Sequence, residues 1–218
     1  MTLKHACSLA SLVACALLAG CATSRSEIQL TAPVAAAPAA PTKGVAIIRT
    51  VTDERVFEKA PDEPSTPSLG FEGADKATAE TKARAIGRKR GAYGRALGDV
   101  LLQDGQTVAG VVRENLKVAL QDAGYTVRNA DEAGPPALVI DVHIKEFWSW
   151  FQPGFWSVTL NANILTNLDL SGAAGAATIK VQAENSMQIA TESAWVEITD
   201  KALKEFRRQA TEKAAGFH

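Results

Sequence analysis

Three consecutive segments in the C-terminal half alternate apolar and polar residues, and this pattern constrains the fold more than any other feature of the chain. Residues 138–145, 156–168 and 179–189 each place apolar side chains at nearly every second position, with Thr166 and Asn185 as the exceptions. Successive strand residues point to opposite faces, so each segment predicts a strand with one buried and one wet face. Three such strands in a row predict an antiparallel β-meander.

Two amphipathic helices are predicted to cover the buried face of this meander. In the first, apolar residues from Val108 to Leu120 follow i, i+3, i+4 spacing, with Thr107 as N-cap and Gly124 as the stop. Residues 196–214 predict a second helix of the same kind. Residues 45–51 and 96–102 predict further strands, 58–76 a loop and 76–90 a weak helix. The expected class is α+β, with a meander and helices on one face in two layers.

The N-terminus has the pattern of an exported lipoprotein. Lys4 precedes an apolar run of thirteen residues, 6–18, which is shorter than the roughly 20 residues that span a bilayer. The run ends Leu-Ala-Gly-Cys, as in a bacterial lipobox, so we expect cleavage between Gly20 and Cys21 and a lipid on Cys21. The alternative is an ordinary signal peptide that happens to end near a Cys. The predicted organisation is a signal at 1–20, an Ala/Pro-rich tether at 21–43 and one domain at 44–218.

Cysteine content and net charge limit which sites and partners the mature chain can have. Cys7 and Cys15 lie in the predicted signal and Cys21 carries the lipid, so the mature chain has no thiol for a disulfide or a metal. A net charge of −1 does not fit a nucleic-acid binder. Ala22, where inner-membrane lipoproteins tend to have Asp, predicts an outer-membrane protein that faces the periplasm.

Catalytic patterns are not evident in the sequence. Apart from the last residue, His218, His143 is the single His of the predicted domain, and neither a GxSxG nor a GxGxxG motif occurs. We therefore expect no enzyme activity, no cofactor and no metal site, and interpret His143 with Asp141 as a solvated pair. Asp53 and Arg55 form either a substrate clamp or, as we favour, a salt bridge that orders the strand end and the following loop.

A basic segment follows the predicted loop. Six positive charges and no acid occur between residues 82 and 95. They form either a solvated helical face or a patch that contacts the phosphates of phospholipid or lipopolysaccharide. Binding to phosphates would weaken as the salt concentration rises, because exposed charges are screened over about 8 Å at physiological ionic strength. The candidate patch residues are Arg84, Arg88, Lys89, Arg90 and Arg95.

Aromatic residues concentrate in one hairpin. Residues 147–156 contain six of them, including three of the four Trp of the chain. Continuing the strand alternation puts Trp148 and Trp150 in the core and Phe147 and Phe151 on the wet face, unless a bulge near Glu146 reverses the pattern. Because exposed apolar patches mark interfaces, the candidate contact residues for a partner or membrane are Phe147, Trp148, Trp150, Phe151, Phe155 and Trp156.

Several of these elements together resemble the YajG-like lipoproteins. The resemblance rests on the lipobox, the strand with TVTDER, the segments IGRKRGAYG and LQDAGYTV, the meander and the terminal helix. It implies a membrane-anchored periplasmic α/β domain, and some relatives carry a flagellar-assembly label. The family supplies no catalytic residues to carry over.

The expected function is that of a non-enzymatic accessory or interaction module in the cell envelope. Its lipid anchor would be Cys21, and the aromatic hairpin would meet an envelope protein or a second copy of the chain. The alternative is a carrier that holds a lipid or another apolar ligand between sheet and helices, which requires an internal cavity.

Overall fold

The computed structural model describes residues 25–35, 43–70, 73–90, 96–129, 132, 138–154, 156–171, 175–188 and 191–217. Within these residues the strands are β1 (Ser26–Ile28), β2 (Val45–Asp53), β3 (Ala85–Arg90), β4 (Ala96–Leu102), β5 (Thr126–Arg128), β6 (Leu138–Pro153), β7 (Val158–Leu170) and β8 (Ala176–Met187). The helices are α1 (Ala79–Arg84), α2 (Val108–Asp122) and α3 (Glu192–Ala215). The predicted signal, Gly20 and Cys21 lie outside the described residues.

The described strands form one mixed sheet of eight around the long central strand β6. On one edge of β6, β7 and then β8 pair antiparallel, which confirms the predicted meander. The other edge is shared by two parallel strands, β2 along the first half of β6 and β3 along the second half. β5 extends the sheet beside β2, and β4 followed by β1 extend it beside β3.

Both long helices pack on the same face of this sheet, so the α+β class is confirmed. Helix α2 begins where predicted, because the Oγ1 of Thr107 accepts a hydrogen bond of 3.1 Å from the Gly110 amide. It ends before Gly124, whose φ of 95° favours glycine. The apolar faces of α2 and α3 share a single core with the inward residues of the sheet, including Leu116, Phe206, Ile140, Val142 and Ile164.

The weak helix expected over residues 76–90 is wrong for its second half. Helix α1 stops at Arg84, and residues 85–90 form strand β3 between β4 and β6. The open edge of β6 offers backbone partners that override the local helix preference. Gly87 allows this close approach, since a Cβ there would lie 2.7 Å from the Ser149 carbonyl oxygen and 3.0 Å from the Trp195 ring.

Part of the expected tether belongs to the folded domain. Residues 26–28 pair in parallel with β4, and Ile28 and Leu30 are buried in the main core. The side-chain amide of Gln106 bonds both the amide and the carbonyl of Leu30, at 3.0 and 2.7 Å. The tether interpretation of residues 25–30 is therefore wrong, because an exposed edge of β4 binds a segment whose composition alone indicated no strand.

Candidate functional site

A β-bulge decides which way the aromatic hairpin residues face. The pairing of β6 with β7 shifts between Ile144 and Glu146. A bulge adds one residue to one strand, and the side chains beyond it change faces. Phe147 consequently lies in the core under the helices, and Phe151 packs against that core. The expectation that these two Phe face the wet side was wrong, and the bulge alternative raised for Glu146 is the observed one.

Trp148 points to the opposite face of the sheet, where the loop after β2 covers it. Its indole packs edge-on against Phe57, with centroids 6.0 Å apart and planes at 88°. Its Nε1 donates a 3.2 Å hydrogen bond to the Pro64 carbonyl. Phe147 and Trp148 are each only 2% exposed, so neither can contact a partner as we had expected. The sheet thus has a second apolar cluster, formed by Leu69, Ala85, Leu101 and Trp148.

The remaining aromatic residues lie nearer the hairpin tip. Trp150 and Phe151 are half-buried against the two clusters. The tip turns after Pro153, where the Gly154 amide donates a 2.9 Å bond to the Ser157 carbonyl. Trp156 is 87% exposed at this turn. Phe155 lies outside the described residues.

The loop that covers Trp148 is fixed by the buried guanidinium of Arg55. Nε and Nη2 of Arg55 donate to the two carboxylate oxygens of Asp53 at 2.8 and 2.7 Å. The other bonds go to the backbone carbonyls of Ala85 at 2.5 Å, Phe147 at 3.0 Å and Lys82 at 2.8 Å. Asp53 and Arg55 therefore form the structural salt bridge that we favoured.

The basic segment divides into structural and surface residues. At the end of α1, the side chain of Arg84 pairs with Glu27 and donates a 2.9 Å bond to the Leu102 carbonyl. Arg88 donates to the Ser68 hydroxyl at 3.1 Å, and burial lowers the pKa of its guanidinium. Lys89 and Arg90 follow toward the end of β3 and are partly exposed. The patch lies mainly on a strand rather than on the helical face we had considered, and Arg95 is outside the described residues.

Asp99 is a buried acid that the sequence analysis did not single out. It is fully buried and lies opposite Arg88 across the pairing of β3 with β4. Its Oδ1 accepts a 2.7 Å bond from the Gly70 amide, and its Oδ2 lies 3.2 Å from the Nε of Arg25. A lone acid in the apolar run ALGDVLL was the available signal. This carboxylate ties the start of the described chain to the loop and the sheet.

Strand register places these features at one end of the sheet. Arg25 directly precedes Ser26, which is the register partner of Val100 in β4. The residue before Val100, Asp99, is the partner of Arg88 in β3, and Arg88 is in turn the partner of Trp150 in β6. Beyond that level lie the ends of β3 and β6 and the turn into β7. We call this region the hairpin end, defined by Arg25, Lys89, Arg90 and residues 152–154 and 156–158.

His143 lies on the polar face of the other half of the sheet. Its Nδ1 is 2.5 Å from a Glu54 carboxylate oxygen and its Nε2 is 3.3 Å from one of Asp169. Glu54, which also pairs with Lys145, raises the pKa of His143 through this hydrogen bond. Asp141 instead bonds Arg49 and Thr50 on β2.

The pKa values on this face follow from those pairings. The Arg49 guanidinium lowers the pKa of Asp141 to about 2. Lys145, and after it His143, lowers the pKa of Glu54. The expected pair of His143 with Asp141 is therefore replaced by ion pairs that cross strands. Within the described ranges, no group of three or more His, Cys, Asp or Glu is arranged to hold a metal ion.

The alternative function, a carrier of a lipid or another apolar ligand, requires a cavity that suits such a ligand. A cavity of about 240 Å³ lies between residues 30–33 and the start of α2. Another of about 450 Å³ lies between β8 and α3. Five of the seven residues that line this second cavity are charged, which does not suit an apolar ligand: Glu184, Lys201, Lys204, Glu205 and Arg208.

Among the helices that the structure describes, none is long and apolar enough to cross a bilayer.

Comparison with known proteins does not assign the chain to a family. No family profile and no curated protein matches it. Among solved structures, a Xanthomonas campestris protein of the family DUF330 is similar, with 10% identity, 88% of this chain and 91% of that chain covered, and a TM-score of 0.46. A candidate neuraminyllactose-binding hemagglutinin homolog from Helicobacter pylori has 13% identity, 85% and 91% coverage and a TM-score of 0.42.

A candidate lipoprotein from Caulobacter crescentus has 11% identity, covers 50% of this chain and 83% of that one, and has a TM-score of 0.31. At these identities and TM-scores the similarities carry no functional argument. The YajG-like resemblance stays a prediction from the sequence.

Proposed function

We propose that this chain is a lipid-anchored accessory protein of the cell envelope that has no catalytic role. Cys21 would carry the lipid, and the hairpin end of the sheet would face the partner. The domain would lie on the periplasmic side of the outer membrane.

The main support for this proposal is the short segment between Cys21 and the folded domain. Arg25 is only four positions after Cys21 and bonds to the buried Asp99. Four residues span at most about 14 Å. A lipid on Cys21 would therefore hold the sheet itself at the membrane, with no long tether between them. This supports a protein that works at the membrane surface.

The geometry of the polar residues supports a non-enzymatic role. The ring nitrogens of His143 both lie next to carboxylates, Glu54 and Asp169. Asp99 and Arg55, the two buried charged residues within the described part of the chain, bond to backbone groups and to partner charges. Asp99 and Arg55 thus hold segments of the chain together, and the ring nitrogens of His143 face carboxylates instead of the hydroxyl that a Ser–His pair would require.

Metabolic labelling with a radioactive fatty acid tests the anchor. We expect label in the wild-type protein and its loss in Cys21→Ala, which would also keep the unprocessed length. Cys15→Ala, inside the predicted signal, is the matched control and should keep the label. A wild-type protein that takes up no fatty acid and fractionates with soluble periplasmic proteins would contradict the proposal.

A further inference from the structure

The short chain between Cys21 and Arg25 limits which surface of the domain can face a lipid on Cys21. Arg25 lies at the level of Asp99, and Asp99 is level with Trp150 through Arg88. From that level the chain from Cys21 can extend by at most about 14 Å. Strand β6 continues three residues, from Trp150 to Pro153, or about 10 Å, before it turns. The length of this segment therefore allows a lipid on Cys21 to lie about as far along the strand direction as the hairpin tip.

The chemistry of the hairpin end fits a bilayer surface. Trp156 is 87% exposed at the tip, and an indole combines an apolar ring with a polar N–H that suits the headgroup region. Lys89 and Arg90 are the last two residues of β3, at the same end of the sheet, and carry positive charge. Asp99, one of the acids at this end, is buried, and Glu192 accepts a 2.6 Å bond from the Ser26 hydroxyl, whereas Glu184 is exposed on β8 at the level of Trp150. Cationic side chains near a membrane surface are attracted to anionic headgroups.

We propose that the hairpin end of the sheet lies against the lipid headgroups of the membrane that holds Cys21, with Trp156 at the interface and Lys89 and Arg90 on lipid phosphates. This inference rests on the proposed lipid anchor and names the bilayer as the partner of the hairpin. The opposite end of the sheet, where Asp169 pairs with Ala176, then points away from the membrane.

A fluorophore on a single cysteine tests this orientation in the full lipidated chain. The wild-type mature chain has Cys21 as its only cysteine, and its thiol would be blocked by the lipid. Trp156→Cys can therefore be labelled with an environment-sensitive dye and reconstituted into phosphatidylethanolamine–phosphatidylglycerol vesicles that contain brominated lipid. Ala176→Cys, at the exposed first residue of β8 and at the opposite end of the sheet, is the matched control.

We expect a blue-shifted emission and bromine quenching at position 156, and neither at position 176. Lys89→Gln with Arg90→Gln should reduce the quenching at position 156, while Lys180→Gln should not. High salt should reduce it as well, because screening weakens contacts with phosphates.

Each other result overturns the inference in a distinguishable way. No quenching at 156, with the acyl mass present on the protein, would show that the anchor stands and that the hairpin faces something other than lipid. A protein photo-crosslinked at position 156 in cells would then be its partner. Equal quenching at both positions would show that the domain lies on its side. Absence of the acyl mass would remove the proposed function itself.

Discussion

Replacement of Arg55 by Ala should destabilise the domain severely, and the structure explains why. On the edge of β6, pairing with β2 ends at Ile144 and pairing with β3 begins at Ser149. The Phe147 carbonyl lies in this gap, and Arg55 supplies its hydrogen bond. The guanidinium thus replaces a missing stretch of neighbouring strand and joins β2, β3 and β6.

The expected magnitude follows from burial. The Arg55 side chain has no exposed area, and removal of one member of a buried ion pair costs about 3–5 kcal/mol. Orphaned carbonyls of Ala85 and Phe147 are part of that cost. Against a typical total stability of about 5–15 kcal/mol, this is a large fraction. It corresponds to a melting temperature lower by roughly 6–20 °C for a domain of this size.

Urea and thermal unfolding followed by circular dichroism measure the effect. Arg208→Ala is the matched control, because Arg208 also bonds two carboxylates, Glu205 and Glu212, but its side chain is 55% exposed. We expect that control to lose at most about 1 kcal/mol. Arg55→Lys should fall between the two, since an ammonium cannot reproduce the planar fork. A loss below about 1 kcal/mol in Arg55→Ala would refute the idea that this residue bridges the strands.

Two further predictions concern the hairpin and the polar face. Trp148→Ala should lower the free energy of unfolding by about 3–5 kcal/mol, because Trp148 is only 2% exposed. Trp156→Ala, at a site that is 87% exposed, should change it little. Equal losses of the two variants in urea unfolding would contradict the assigned faces. NMR titration of His143 should give a pKa above its ordinary 6.5 that falls in Glu54→Gln. Since the folded-state pKa of His143 is raised, its stabilisation by this pair should be complete below pH 6.5, as long as Glu54 stays ionised, and lost as the pH rises through the folded-state value. An unchanged His143 pKa in Glu54→Gln would show that this pair does not form.

Composition predicts the loop after β2 but not what this loop does in the fold. Within 58–70 and 73–76, the structure confirms the loop that the Pro and Gly content predicts. Their role as the cover of Trp148 could not be read from composition, because it depends on contacts across 84 positions of sequence, as in the bond from Trp148 to Pro64. A sheet with helices on one face can thus bury residues on its other face under a loop.

The sequence by itself determined the meander and the helices α2 and α3. Their periodicity is a local property, since every second strand residue or every third to fourth helix residue must be apolar to share one core. Thr107 and Gly124 likewise mark the ends of α2 through local backbone chemistry. The structural role of Arg55 was inferred as a salt bridge to Asp53, a neighbour in sequence.

Tertiary structure alone decided the register, the faces and the edges. The bulge between Ile144 and Glu146 reverses the aromatic residues because it arises where two strands pair. Residues 85–90 became a strand, and 26–28 joined the sheet, because β6 and β4 offered unpaired backbone that distant segments could bind. These outcomes depend on partners far away in the chain, which local patterns do not encode.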